Sequence, residues 1–145
     1  MLISSLNTAT GSIHLPHQNL TLHPGLTPTE LEERAENLIF FRYETDNHYL
    51  HIFLWLDVTP GAYVSTSLCF HENRLVFVQF SPQHITSHPV GRPTPMELPE
   101  ARAIVRAWYG VYFPKTETNF LWGSIGCFDG SDPLYHPPCV RIRYD

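Results

Sequence analysis

The chain has 145 residues, of which 43% are apolar, 13% aromatic and only 16% charged. That length fits one domain with a core of its own, and that composition excludes a disordered chain. The formal charge is −5, with a single lysine (Lys115) and arginines that are scattered or in isolated pairs such as Arg102/Arg106 and Arg141/Arg143. The basic cluster that displaces counterions from phosphate is missing, which excludes a nucleic-acid binder.

The first stretch, MLISSLNTATGSIHL, has neither a basic start nor a long apolar run and does not read as a signal peptide. Thr27-Pro28-Thr29-Glu30 reads as a helix start. The threonine hydroxyl accepts an orphan N–H, proline fits the first turn, and glutamate reaches back. Behind it LEERAENL puts Leu31, Ala35 and Leu38 on one face and the acids Glu32, Glu33 and Glu36 elsewhere, predicting an amphipathic helix over residues 28–37.

From residue 38 the period shortens to two. Aromatic and β-branched runs at 38–44, 48–57, 62–70 and 74–80 are separated by Thr45-Asp46-Asn47, Thr59-Pro60-Gly61 and Glu72-Asn73. Connections this short join antiparallel neighbours, hence a four-strand meander. In the second run Leu50, Ile52, Leu54 and Leu56 share one face, and His51, Phe53, Trp55 and Asp57 share the other. A face bearing Phe53 and Trp55 must be partly covered or bound. Residues 81–95, with four prolines, read as a crossover loop without regular structure.

Thr94-Pro95-Met96-Glu97 repeats the helix-start grammar, and Leu98, Ala101, Val105, Trp108 and Tyr112 follow helical spacing. Pro99 pulls the regular start toward itself, and Pro114 stops the helix. Asn119 to Phe128 then reads as one strand, with Phe120, Trp122 and Phe128 on one face and Leu121, Ile125 and Cys127 on the other; Trp122 reads as core. Asp129-Gly130-Ser131-Asp132 is turn chemistry rather than a catalytic carboxylate pair. The closing PCVRIRYD alternates Val140, Ile142 and Tyr144 against Arg141 and Arg143. The expected fold is α+β: a mostly antiparallel sheet of five to seven strands, a four-strand meander plus a C-terminal hairpin, packed on two helices as a single domain.

Three cysteines (Cys69, Cys127, Cys139) form no CxxC and no even set, so reduced thiols and a cytoplasmic setting are expected. Cys127 and Cys139 fall on strands close enough to oxidise in lysed material. The histidine pairs His14/His17, His48/His51 and His84/His88 do not match zinc spacing, no nucleophile motif is present, and neither metal nor cofactor is expected. Protonating all nine histidines would move the formal charge from −5 to +4. Acid sensitivity below about pH 6 follows.

LHPGLTPTELEE, the meander ending in LCFHENRLVFVQF, the helix around ARAIVRAWYG, and FLWGSIGCFDGSDP with the closing CVRIRYD together cover residues 22–145. In this pattern the chain resembles small bacterial immunity-type proteins encoded beside polymorphic toxins. It departs from them in the proline- and histidine-rich loop and the aspartate turn, and no functional residue carries over. The resemblance implies a cytoplasmic antidote, not an enzyme, that binds one toxin domain and occludes its working surface.

From the residues themselves, surplus aromatics and the absence of a catalytic constellation also point to a binding protein. The acidic balance suits a basic partner. The expected contact residues are Glu32, Glu33, Glu36, His51, Phe53, Trp55, Asp57 and His84. The alternatives are a small-molecule-binding or enzymatic domain, with Tyr63, Trp108 and histidines in a sheet-lined pocket, and a secretion chaperone or adaptor.

Overall fold

A computed structural model describes residues 6–59, 61–113 and 118–145. Pro60 and Pro114, expected as turn residue and helix stop, lie outside the described residues, as do the first five positions of the expected leaderless N-terminus. The chain order is β1 (Ile13–Leu15), β2 (Leu20–Leu22), α1 (Pro28–Ala35), β3 (Ile39–Glu44), β4 (Tyr49–Thr59), β5 (Ala62–His71), β6 (Arg74–Thr86), α2 (Leu98–Tyr112), β7 (Asn119–Phe120), β8 (Gly123–Phe128) and β9 (Cys139–Tyr144). Strands β3 to β9 form a seven-stranded antiparallel sheet in the order β3-β4-β5-β6-β9-β8-β7, and β1 and β2 form a separate hairpin. The fold is α+β. None of the described helices is long and apolar enough to cross a membrane.

α1 begins as its sequence dictates. Thr27 Oγ1 accepts from the Glu30 N–H at 3.2 Å, and Leu31 and Ala35 are buried. The second helix start does not form at Thr94. α2 begins at Leu98 without a side-chain cap, because Pro99 is tolerated only in the first turn. Started at Pro95, the helix would drive the Pro99 ring into a carbonyl one turn back.

Both helices pack on one face of the sheet. Ile52, Leu54, Leu56, Leu68, Val78, Phe80, Val140 and Ile142 from that face meet Leu31 and Ala35 of α1 and Val105 and Trp108 of α2. Ile13, Leu15, Leu20 and Leu22 of the β1–β2 hairpin enter the same core. The hairpin's IHL and LTL alternate around a polar turn, a pattern the sequence reading passed over.

Two other expectations are corrected. Residues 81–86 are strand: pairing shifts between Val64 and Ser65, opposite Ile85 and Ser81, so Pro82 falls in a bulge where no ladder hydrogen bond is demanded. The loop without regular structure is therefore 87–97. Residues 119–128 are two strands, with a two-residue turn at Leu121-Trp122. Leu121, expected to share a face with Ile125 and Cys127, instead sits in the turn and is 106% exposed. Trp122 folds back onto Phe120 (4.9 Å between ring centroids, 10° between planes) and is only partly buried against the core. Its Nε1 donates to Thr8 O at 2.8 Å, while Tyr144 OH donates to Gly11 O at 2.9 Å. The N-terminal segment is thereby held to the closing strand.

The aspartate turn is framework. Asp132 Oδ1 accepts from the N–H groups of Leu134 and Tyr135 at 2.7 and 2.8 Å, which lowers its pKa. Asp129 pairs with Arg106 at 2.6 Å, with both side chains more than half exposed. An exposed pair of this kind contributes little. Arg106→Ala is therefore expected to change unfolding free energy by less than about 1 kcal/mol in urea titration.

Candidate interaction face

The sheet face away from the helices carries the surplus aromatics. Residues directly opposite across antiparallel strands share a face. One row runs Tyr43, His51, Cys69, Phe77, Arg143 and Ser124 from β3 to β8; the next runs Phe41, Phe53, Ser67, Gln79, Arg141 and Gly126. The rings touch as a sheet of their own. Tyr43 stacks on His51 at 4.6 Å and 13°, and Phe53 lies 5.8 Å from Phe41 and 6.0 Å from Tyr43. His51 meets Phe77 edge-on at 6.0 Å. Phe41 and Tyr43 are 36% and 43% exposed.

Part of this face is roofed. Trp55 Nε1 donates to Gly91 O at 2.8 Å, and the Arg92 guanidinium sits 4.0 Å above the Phe41 ring. These two contacts bring loop 87–97 over one end of the face, and Trp55 is only 5% exposed. Its indole therefore anchors a loop and offers little surface. The remaining expected contact residues separate. His51 and Phe53 sit in the middle of the aromatic rows. Asp57 is nearly covered, its Oδ2 3.9 Å from His17 Nδ1. His84 lies within the β6 bulge, between Ser81 and Ile85. Glu32 on α1 and Glu36 just past its end lie across the sheet, where Arg42 binds both at 2.7 and 3.1 Å. Glu33 is an exposed residue of the same helix. Aromatic row and acidic strip thus occupy opposite sides of the molecule.

Phe41, Tyr43, Phe77 and Arg141 are face residues that sequence reasoning missed. The alternation of FFRYE and RLVFVQF offers a signal for them, but only register brings them together.

Chemistry within the face is muted. Cys69 Sγ lies 3.8 Å from His51 Nε2. Burial pushes the Cys69 thiol up to about 11 and holds His51 below the ordinary histidine value. The pair is therefore a neutral thiol beside a neutral imidazole, the reverse of an activated nucleophile. Cys127 pairs with Val140 and Cys139 with Phe128, so these two cysteines point to opposite faces, not toward each other. Among the described residues no group of three His, Cys, Asp or Glu side chains is placed to hold a metal ion. Trp108 is packed between Phe80 and Phe113. A hollow of about 270 Å³ between the β3–β4 and β5–β6 turns is lined by Leu50, Phe70, Glu44, His48 and His71. It is smaller than the ~300–1,000 Å³ usual for ligand pockets.

Burial also lowers the pKa of His84. With His51 and His84 depressed in the fold, the unfolded chain binds protons more readily below its own histidine value of about 6.5. Their contribution to stability is complete above that value and is lost as pH falls toward the folded values. The thermal midpoint is expected to drop between about pH 7.5 and about pH 5.5; a flat profile in calorimetry contradicts this.

No family model, curated protein or solved structure matches the chain.

Proposed function

We propose that the protein is a cytoplasmic immunity-type antidote that docks its open sheet face, centred on Phe53, Tyr43 and His51, onto a toxin domain and covers that domain's working surface. The observation that carries this reading is the run of touching rings on the side away from both helices, only one end of which loop 87–97 covers. Rings held by their neighbours lose little entropy on binding, and Tyr, Trp and Phe dominate the buried centres of interfaces. The filled core and the neutral Cys69–His51 pair favour docking over the enzymatic alternative.

The test is co-purification with the product of the adjacent gene, followed by titration calorimetry. A stoichiometric complex is expected. Phe53→Ala and Tyr43→Ala should each weaken it by at least about 2 kcal/mol, roughly 30-fold, while Leu121→Ala at the far turn leaves it unchanged. Indifference to both aromatic changes removes this face from consideration.

A further inference from the structure

The aromatic face does not share the acidity of the chain as a whole. At its β8–β9 end lies a notch of about 230 Å³ lined by Asn119, Ser124, Gly126, Phe128, Arg141 and Arg143. Several times the ~30 Å³ of a water molecule, it has room for the end of a side chain. Among the described residues neither arginine has a carboxylate within salt-bridge distance, although Arg42 and Arg106 elsewhere do.

Arg141 is held ready. Its guanidinium lies 4.7 Å from the Phe128 ring centre and 5.4 Å from that of Phe77. With the Gln79 amide turned to satisfy both groups, its oxygen accepts from Arg141 Nε and Nη2 at 3.3 and 3.2 Å. The guanidinium also borders the buried Cys139 thiol, with which it hydrogen-bonds. Gly126 leaves space beside the Phe128 ring, which a Cβ there would meet at 3.0 Å. Arg143 continues the same face one row away. A planar, pre-oriented fork next to a second arginine matches the two oxygens of a carboxylate.

We propose, building on the docking reading above, that this notch receives an Asp or Glu side chain of the protein partner. The aromatic row and the notch are contiguous through Phe77 and Gln79, so one bound surface spans both. The partner then presents apolar groups to Phe53 and Tyr43 and a carboxylate to Arg141. Charge complementarity sets the register of docking, while the rings supply contact area.

The probe is the peptide acetyl-Trp-Glu-Trp-Glu-amide, titrated into the full chain while arginine Nε and backbone amide resonances are followed. Acetyl-Trp-Gln-Trp-Gln-amide and inorganic phosphate are the comparison arms. The Glu peptide is expected to shift Arg141 Nε and the Gly126 amide saturably, at least about tenfold more tightly than the Gln peptide. Arg141→Gln should abolish that difference with the rest of the spectrum unchanged. Equal binding of the two peptides at Phe53 and Tyr43 overturns the carboxylate site and leaves the docking face standing. Glu-selective shifts at Arg141 that Phe53→Ala does not weaken leave the notch standing and sink the docking face. Tighter binding of phosphate than of the Glu peptide, or no shift from either peptide, overturns the proposal.

Discussion

Phe80→Ala is expected to lower the unfolding free energy by about 3–5 kcal/mol, with a reduced urea midpoint and an unchanged m-value. Phe80 has no exposed surface and lies between Thr66 of β5 and Val140 of β9 on the helix side of the sheet. Trp108 and Phe113 stand 5.8 and 6.4 Å from its ring centre. Both neighbours are themselves tied down, Trp108 against Tyr112 and Phe113 against Tyr109. The site cannot collapse around a missing ring, so the cavity cost adds to the lost transfer free energy. Set against a total of about 5–15 kcal/mol for a domain, the change removes a large share of all stability. A loss under about 1 kcal/mol would mean that α2 closes onto β6 far more freely than its packing implies.

Gly123→Ala is expected to cost at least about 3 kcal/mol, despite adding a single methyl group. Gly123 opens β8 with φ +153°, and a Cβ built there overlaps the Arg143 carbonyl oxygen of β9. The obstacle is backbone in a paired strand, so no rotamer change relieves it. Yielding would separate β8 from β9 where Gly123 pairs with Tyr144, and would loosen the Asp145 N–H bond to Trp122 O at 2.9 Å. Gly61→Ala is the matched control. Its φ is also positive, +73°, but a Cβ there meets nothing within 4 Å, so only conformational strain remains. Comparable losses in the two variants, read from urea melts, would show that strain rather than overlap governs Gly123.

Local periodicity carried much of the fold. β4 shows why: Ile52, Leu54 and Leu56 alternate so regularly that burial on one face leaves a single choice of register. The errors came where two local signals competed or where a distant partner decided. Thr94 shares the helix-start grammar of Thr27, yet the helix begins at Leu98, near Pro99 as expected, and takes no cap from Thr94. Pro82 looked like a strand end because nothing nearby announces the bulge that admits it. The aromatic face was half legible. His51 and Phe53 follow from alternation within β4, but Tyr43, Phe77 and Arg141 join them through pairings across three other strands. The acidic strip was placed beside them on charge alone, and Arg42, pointing to the helix side opposite Ile52, accounts for Glu32 and Glu36 instead.

β9 follows every other described strand in the chain, yet it lies inside the sheet, bonded to β6 on one side and β8 on the other. While a ribosome delivers the meander and α2, the Phe77–Phe80 stretch of β6 has no partner on that flank. Ordered assembly must wait until residue 144 has left the exit tunnel; an early stop codon upstream of Cys139 would release, and slow translation there would prolong, an intermediate with a hydrophobic open edge. Such truncated products should enter inclusion bodies, and faster passage through the codons of β9 should raise the yield of soluble material.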